Sequence, residues 1–501
     1  MLRRGKVILF YPAYDGPPLG APLCMLALAS TLREANFDVV LIDAAIDPEY
    51  RVHILRESVD ALCLGISVLT GPMIRGAIEI ATAVKSGIPS LPIIFGGWHP
   101  TLLPDETLSE PFVDIVVRGQ GEVTLVELCE ALLAGRPLDL IPGVSFKSKG
   151  RRTHNSDRRV EPLDALPIPA FDLTDFDAYE KLSGARKIGY ASSIGCPYAC
   201  NYCTDMVFYK RRFNALSPER VVSELTHLVT TYRIEEVSLL DSNFPVQLDR
   251  ALAIARGILA SGIKFRWTFQ ASTDFLCRMS EEDVILLGKS GVSHMGFGTE
   301  STSETVLKLM NKRHQRVNEM YETARKAQLA GIRVTFNLIF AYPGETQADR
   351  AITFKTMSDI ARQFPNVSFS PNIFTPYPGI PIWPQLREMG VEEPHSLQEW
   401  MEMPLGANLL PWLKGKELAR LERLVEYFLL NSQICRKAGY SSQLRRAVRS
   451  IIRLPVRWRL NSNYILFPWE LWLAAFSERL ALRRSLVTGQ ELPKLPASAC
   501  S

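Results

Sequence analysis

Short apolar segments alternate with helical stretches along most of this chain, and the alternation runs through twice. In the first series several apolar segments are separated by helical patterns, for example around Leu23 to Ala35 and Ile74 to Lys85. Apolar strands that alternate with helices favour a parallel sheet covered on both faces. The apolar segments are KVILFYP, DVVLIDA, ALCLGISV, PIIF and DIVV. The sequence therefore predicts an α/β fold that begins with a Rossmann-like domain over residues 1–145.

The alternation stops over residues 146–186 and then starts again. Stretches such as KSKGRRTHNSDRR and EPLDALPIPAFD are polar or contain proline, which is typical of a surface linker between domains. Over residues 187–395 a series of six strand and helix units follows, which fits a partial (β/α)6 barrel of the TIM class. The strands then stop, so residues 396–501 are predicted to form a helical C-terminal region.

Composition limits what this chain can bind and where it works. Hydrophobic residues make up 47% and charged residues 22% of the chain, which is ordinary for a folded protein. The formal net charge of +4 is too small over 501 residues to imply a nucleic acid partner. The first residues, MLRRGKVILF, lack a signal-peptide pattern, and no apolar run reaches the roughly 18 residues of a membrane span. We therefore expect a cytoplasmic protein that binds no nucleic acid.

Three cysteines, Cys196, Cys200 and Cys203, stand together in the segment CPYACNYC after the first strand of the second series. Three soft thiolates on one loop can bind an iron-sulfur cube and leave one iron open to a small molecule. A zinc site would require a fourth Cys or His nearby, and the nearest histidines are His154 and His227. Three incidental buried cysteines are the other alternative. The spacing therefore favours a cluster with an open iron.

The same segment resembles the CxxxCxxC signature, with an aromatic residue before the last cysteine, of the radical S-adenosylmethionine superfamily. The resemblance implies a 4Fe-4S cluster whose open iron binds the methionine moiety of S-adenosylmethionine. Reduction of the sulfonium then releases a 5'-deoxyadenosyl radical. The resemblance places Tyr202 next to the adenine and implies an electron donor such as flavodoxin or ferredoxin.

The resemblance continues at the ends of later strands. The segment LLDSNF stands where the family often has Gly-Gly-Glu to hold the methionine amine, so Asp241 and Asn243 become the candidates for that role. The segment GFGTES implies that Glu300 and Ser301 lie within reach of the ribose or the methionine carboxylate. From the residues alone, the first pair can be ordinary turn residues and the second pair can cap a helix.

In the first domain, GGWHPTLLPDE and VVRGQGEVTLVEL resemble the cobalamin-binding domain that precedes many radical S-adenosylmethionine barrels. Such a sheet binds its ligand at the carboxyl ends of parallel strands. Gly96 and Gly97 allow close approach of the backbone to the cofactor, and Ser67 and Thr70 are candidate hydrogen-bond partners. The chain has no Asp-x-His-x-x-Gly string, so the resemblance is to the class without a protein histidine beneath cobalt, and we expect His99 to be a surface or packing residue. A domain kept only as a scaffold is the alternative.

The C-terminal region is basic and aromatic. Between Arg436 and Arg484 it has eleven Arg and Lys and two Glu. Such a stretch can lie at an anionic membrane surface, or it can pack on the barrel with Arg side chains covering apolar area. Because the run YILFPWELWLAAF is too apolar to stay exposed without cover, we expect the packed arrangement, with the Trp and Leu side chains buried.

Together these features predict an enzyme. The resemblance implies a cobalamin-dependent radical S-adenosylmethionine methyltransferase that acts on an unactivated carbon or phosphorus centre through a 5'-deoxyadenosyl radical and methylcobalamin. The alternatives are a cobalamin-binding radical cyclase, oxidase or rearrangement enzyme without methyl transfer, and a noncatalytic corrinoid carrier. The substrate is expected to be a small molecule or a lipid, and no residue is assigned a catalytic role.

Overall fold

The structure is a computed structural model, and it describes residues 4–14, 20–148, 150–403, 410–435, 443–462 and 467–477. The strands are β1 (Lys6–Tyr11), β2 (Asp38–Asp43), β3 (Ala61–Ser67), β4 (Ile93–Gly96), β5 (Ile115–Val117), β6 (Val144–Ser148), β7 (Arg151–His154), β8 (Lys187–Tyr190), β9 (Ser193–Ile194), β10 (Asn214–Ala215), β11 (Glu236–Leu239), β12 (Arg266–Ala271), β13 (Val292–Glu300), β14 (Arg333–Phe340) and β15 (Val367–Ile373). The two helical stretches predicted at Leu23 to Ala35 and Ile74 to Lys85 are observed as helices at Leu23–Glu34 and Met73–Gly87.

The helices are α1 (Leu23–Glu34), α2 (Tyr50–Glu57), α3 (Met73–Gly87), α4 (Trp98–Leu102), α5 (Pro104–Ser109), α6 (Glu122–Ala134), α7 (Phe176–Ser183), α8 (Asp205–Phe208), α9 (Pro218–Tyr232), α10 (Leu248–Ser261), α11 (Glu281–Lys289), α12 (Glu304–Leu309), α13 (Asn318–Leu329), α14 (Gln347–Gln363), α15 (Trp383–Glu388), α16 (Leu397–Met401), α17 (Gly415–Cys435) and α18 (Gln443–Ser462). Residues 469–477 form a further helix, α19.

Two compact units make up the chain. The first comprises Met1–Ser242, Pro376–Pro384 and Glu392–Leu405, and the second comprises Asn243–Thr375, Gln385–Val391 and Gly406–Ser501. The boundary after Ser242 therefore lies inside the second strand and helix series. The reason is that each unit is defined by close packing and not by a change in the sequence pattern. The predicted division at residues 145, 186 and 395 remains a prediction.

The first unit contains a sheet with the strand order β2-β1-β3-β4-β5-β6-β7. Strands β1 to β5 pair in parallel, and the register places Val7 beside Val39 and Cys63. Side chains of β1 and of the covering helices α1 and α6 form the core, among them Leu9, Leu32 and Leu128. The predicted Rossmann-like arrangement is therefore confirmed.

The beginning of the predicted linker is a β-hairpin. Strands β6 and β7 pair in antiparallel fashion, with Phe146 opposite Thr153, and β6 pairs with β5. The surface linker over residues 146–186 remains a prediction, but no strand was predicted within it. The reason is that an antiparallel strand at a sheet edge can keep one face in water, so a polar segment such as RRTH is compatible with a strand.

The second series supplies the parallel strands that the alternation predicted. In the first unit β8 pairs in parallel with β11, placing Lys187 beside Glu236. In the second unit β12, β13, β14 and β15 pair in parallel in that order. Phe297, Phe336 and Phe369 lie side by side on three neighbouring strands and are buried, so they form part of the core of this unit.

The C-terminal region is helical in its described part, as predicted. Helix α17 packs against β15 and α18. We expected the Trp and Leu residues of the C-terminal region to be buried. This was wrong for Leu454, Trp458 and Trp472, which are all exposed. The residues at 436–442, 463–466 and 478–501, which include Arg436 and Arg484, lie outside the described residues. None of the described helices is both long and apolar enough to pass through a bilayer.

Candidate functional site

The cysteine segment forms a loop after β9 in the first unit. Gly195 has a φ of +76°, and a Cβ there would collide with the carbonyl of Arg212, so the residue before Cys196 has to be glycine. The Cys203 N–H donates to the Cys200 carbonyl at 3.2 Å, which closes a turn around Tyr202. Cys200 is buried, whereas Cys196, Cys203 and Tyr202 are half-buried.

The donor chemistry of this loop fits an iron-sulfur cluster. Burial raises the pKa of the Cys203 thiol to about 12, and the nearby Asp205, Cys200 and Cys196 add to the rise. A metal therefore has to displace a proton to bind here. Among the described residues, no three His, Cys, Asp or Glu side chains are already close enough together to hold a metal ion. The loop supplies three thiols, the soft ligands that iron-sulfur clusters take.

Asp241 follows β11 and is buried in the first unit. Its carboxylate accepts hydrogen bonds from the Ser192 N–H at 2.8 Å, from the Ser192 hydroxyl at 2.7 Å and from the Ser193 hydroxyl. These bonds join the end of β11 to the segment that leads into Cys196. The geometry therefore gives Asp241 a positioning role for the cysteine loop, beside its predicted contact with the methionine amine.

In the second unit Glu300 stands at the end of β13 with a φ of +61°, which is a strained conformation for a residue other than glycine. Its carboxylate accepts a hydrogen bond from Lys312 at 3.0 Å, and both side chains are buried. Ser301 is buried as well, and its hydroxyl accepts the Ser303 N–H at 3.1 Å. The cap of α12 itself is Ser303, which accepts the Val306 N–H. Helix α12 is therefore capped by Ser303 and not by Glu300 or Ser301.

Among the buried polar atoms of the second unit that have no hydrogen-bond partner in the described part of the chain are Asn243 Oδ1, Thr299 Oγ1 and Gln315 Oε1. Buried polar atoms are normally satisfied, so unsatisfied ones point to a ligand that is bound in the working protein. These amide and hydroxyl oxygens, together with the Glu300 carboxylate, can accept hydrogen bonds from the amino and ribose groups of S-adenosylmethionine. Lys312 and Gln315 were missed by sequence reasoning because they lie in an irregular segment between α12 and α13.

A cavity of about 650 Å³ opens at the carboxyl ends of the parallel strands in the first unit. It is lined by the last residue of each of five strands: Tyr11 of β1, Asp43 of β2, Ser67 of β3, Gly96 of β4 and Val117 of β5. The first residues of α1 and α6, Leu23 and Glu122, also line it. This is the position at which a doubly wound sheet binds a nucleotide-like ligand.

The polar groups of the cavity suit a large uncharged ligand. Burial raises the pKa of the Asp43 carboxyl, although the Tyr179 hydroxyl donates a hydrogen bond to it. Burial also raises the pKa of the Glu122 carboxyl. Most other lining residues are apolar. The residues therefore fit a corrin ring, whose side chains are neutral amides, better than a highly charged ligand.

Gly97 and Trp98 connect the cavity to the cysteine loop within the first unit. Gly97 has a φ of +91°, and a Cβ there would lie 2.9 Å from both the Ser67 hydroxyl and the Val68 carbonyl. Trp98 packs against Phe208 of α8 with 4.2 Å between the ring centroids, and against Tyr209 edge-on. Phe208 and Tyr209 line the cavity and belong to the segment that follows Cys203. The cavity wall and the cysteine loop are therefore parts of one packed structure.

Two residues discussed from the sequence lie elsewhere. Thr70 and His99 are absent from the lining of the cavity as the described residues form it. The His99 ring is fully buried, and its Nδ1 lies 3.1 Å from the Thr70 hydroxyl. Ser67, Gly96 and Gly97 do line the cavity, so these predicted residues are brought together and Thr70 is not.

Comparison with known proteins agrees with this arrangement. The B12 binding domain profile matches residues 5–129, and the radical SAM superfamily profile matches residues 190–357. An uncharacterized methyltransferase of Pyrococcus horikoshii is 31% identical over 374 residues, which is 74% of this chain and 78% of that protein. The hopanoid C-3 methylase of Methylococcus capsulatus is 27% identical over 72% of this chain and 68% of its own length.

An anaerobic magnesium-protoporphyrin IX monomethyl ester cyclase of Synechocystis is 27% identical over 60% of each chain. Among solved structures, the cobalamin-dependent S-adenosylmethionine radical enzyme OxsB shares the fold, with a TM-score of 0.74 and 16% identity over 99% of this chain and 76% of that chain. The chain therefore belongs to the family of radical S-adenosylmethionine proteins that carry an N-terminal B12-binding domain.

Proposed function

We propose that this protein is a cobalamin-dependent radical S-adenosylmethionine methyltransferase that acts on an unactivated carbon or phosphorus centre. One observation carries the proposal: Phe208 and Tyr209, which lie five and six residues after Cys203, line the cavity at the strand ends of the B12-binding domain. A chain that builds the two cofactor sites against each other is suited to a reaction that needs both cofactors at one substrate. The relatives named methyltransferase and methylase support methyl transfer as that reaction.

Each cofactor has candidate residues in this chain. Bound together, the cluster, S-adenosylmethionine and cobalamin supply one-electron chemistry and a transferable methyl group. Cys196, Cys200 and Cys203 would hold the cluster. The S-adenosylmethionine ligands would be Tyr202, Asp241, Asn243, Glu300 and Ser301, and the cobalamin contacts would be Ser67, Gly96 and Gly97.

The residues of this chain orient the cofactors and exclude water. The Asp241 carboxylate holds Ser192 and Ser193, and so fixes the start of the cysteine loop. The Trp98 ring packs against Phe208 and closes the cavity wall on that side. An apolar wall excludes water from the cavity and so limits side reactions.

We further propose a cytoplasmic enzyme that receives its electron from a small redox protein such as flavodoxin or ferredoxin. The substrate would be a small molecule or a lipid. The second candidate function is a cobalamin-binding radical enzyme without methyl transfer, which the cyclase relative favours.

The products of S-adenosylmethionine distinguish these functions. The anaerobically purified protein, reconstituted with iron, sulfide and cobalamin, is incubated with a reductant, S-adenosylmethionine and candidate substrates. A methyltransferase yields both 5'-deoxyadenosine and S-adenosylhomocysteine, whereas the second candidate yields 5'-deoxyadenosine alone. Cys200→Ala should lose the cluster and the 5'-deoxyadenosine, because the loop has no other thiol to replace Cys200.

The matched control is Cys277→Ala, which removes a half-buried cysteine of the second unit whose thiol contacts Thr323. This variant should keep cluster and products. Full cluster content and 5'-deoxyadenosine formation in Cys200→Ala would contradict the assignment of the cluster to this loop.

A further inference from the structure

Helices α18 and α19 of the second unit each expose an apolar stripe. In α18 the stripe consists of Ile451, Leu454 and Trp458, which are 63%, 74% and 57% exposed. In α19 it consists of Trp469, Trp472 and Phe476, which are 41%, 64% and 59% exposed. Both stripes have the spacing i, i+3, i+7, which places their members on one face of a helix. We call these six residues the exposed stripes.

The exposed stripes are separate from the faces that hold the helices in place. Helix α18 buries Val448, Ile452 and Val456 on its other face, and Ser358 of α14 donates a hydrogen bond to the Leu460 carbonyl at 2.8 Å. The buried apolar face already holds α18 in place, so the exposed apolar face adds nothing to the stability of the protein in water. Clusters of exposed large apolar residues are uncommon on soluble proteins and mark contact surfaces.

Within α18 and α19, the exposed charged side chains that the structure describes have a single sign. Helix α18 contains no Asp or Glu. Arg453 is exposed and Arg457 is partly exposed, and both alternate with members of the stripe. The acid of α19, Glu470, is buried and accepts hydrogen bonds from Arg459 at 2.6 Å and from the Tyr427 hydroxyl at 2.9 Å. The exposed charged side chains that the structure describes on α18 and α19 are therefore cationic.

We propose that the exposed stripes bind the surface of an anionic lipid bilayer. Tryptophan and phenylalanine insert at the boundary between headgroups and acyl chains, and neighbouring arginines pair with anionic headgroups. None of the described helices can cross a bilayer, so α18 and α19 would lie along its surface. A second copy of the chain fits less well, because a two-fold contact would bring the same arginines against each other.

Vesicle sedimentation tests this binding with the full-length protein. We expect binding to phosphatidylglycerol vesicles at about 0.05 M salt and little at about 0.5 M salt, where the Debye length is much shorter. Phosphatidylcholine vesicles should bind weakly at both. Removal of one positive charge near an anionic surface weakens binding by about fivefold. Arg453→Glu and Arg457→Glu each reverse a charge, so each should weaken binding to phosphatidylglycerol by more than that.

Matched controls distinguish the stripes from the rest of the surface. Arg136→Glu makes the same charge change at an exposed position of the first unit and should leave vesicle binding unchanged. Trp472→Ala should weaken binding, whereas Leu140→Ala, at a position 92% exposed in the first unit, should not. We expect each variant to fold, because the substituted residue is exposed. Thermal unfolding of each variant checks this.

Several results would overturn the proposal. Equal binding to the two lipids, binding that salt leaves unchanged, or the same effect from Arg136→Glu as from Arg453→Glu would each do so. Sedimentation velocity addresses a second copy as the occupant. If Trp472→Ala dissociated an oligomer and left vesicle binding unchanged, the stripes would be a contact between copies and the lipid proposal would be wrong.

Discussion

His99 shows how a single residue can carry two opposite interpretations until its neighbours are known. A histidine after two glycines at a strand end could reach a cobalt ion or could be a packing residue. In the structure its Nδ1 lies 3.1 Å from the Thr70 hydroxyl, its Nε2 lies 3.7 Å from a Glu106 carboxylate oxygen, and its ring is edge-on to Trp400. The side chain therefore supports the loop after β4.

We predict that His99→Ala keeps cobalamin binding and the cobalt resonance spectrum, because the ring does not line the cavity formed by the described residues. It should lower the free energy of unfolding by about 3 kcal/mol, since it empties a buried site and removes a hydrogen bond. Urea unfolding measures the second effect, and His227→Ala, at an exposed position, is the control. Nitrogen hyperfine splitting in the wild-type Co(II) signal that His99→Ala removes would show that His99 binds cobalt.

At the scale of elements, the junction of β4 and α4 positions the cavity. Gly97 combines a φ of +91° with close approach to Ser67 and Val68 of the neighbouring strand end. Gly135, which ends α6, has a φ of +63°, and a Cβ there would meet nothing within 4 Å. The two glycines share a positive φ and differ in the space around them.

We predict that Gly97→Ala lowers the free energy of unfolding by about 3 kcal/mol and weakens cobalamin binding, because strain and collision both act there. Gly135→Ala should cost about 1 kcal/mol, from backbone strain alone, and should leave cobalamin binding unchanged. Urea unfolding and a cobalamin titration followed by absorbance measure both quantities. Equal costs for the two variants would mean that the contact with Ser67 and Val68 is unimportant.

At the scale of the whole molecule, stability depends on a buried acid of the second unit. Glu345 follows β14, and its side chain is fully buried, accepting a hydrogen bond from the Ala341 N–H and another from Arg350 at 3.4 Å. Burial raises the pKa of this carboxyl from 4.5 to about 7, although both partners oppose the rise. Because the folded-state pKa lies above the unfolded value, protonation favours the folded state. The contribution is complete below about pH 4.5 and disappears as the pH rises through about 7.

We predict that the free energy of unfolding of the wild type falls relative to that of Glu345→Gln by about 3 kcal/mol between about pH 4.5 and about pH 8. Chemical denaturation at a series of pH values measures the difference. Glu304→Gln, which changes an exposed acid of the same unit, should run parallel to the wild type. A constant difference between the wild type and Glu345→Gln would mean that Glu345 keeps an ordinary pKa in the folded protein.

The sequence by itself determined the order and type of the elements, the class of fold and the cofactor family. Apolar periodicity reflects the local geometry of strands and helices, so α1 was predicted within one residue of its observed bounds and α3 within two. Cys196, Cys200 and Cys203 were recognisable because their ligand pattern is local as well. The hairpin of β6 and β7 was missed, since polar edge strands carry little periodic signal.

Only the tertiary structure decided which polar groups meet. The Asp241 carboxylate accepts hydrogen bonds from Ser192 and Ser193, and the Glu300 carboxylate accepts one from Lys312. It also decided that Trp458 and Trp472 are exposed, although their sequence favoured burial. The physical reason is that hydrogen bonds and burial depend on distances between segments that folding brings together, whereas the sequence pattern records only the periodicity of each segment along the chain.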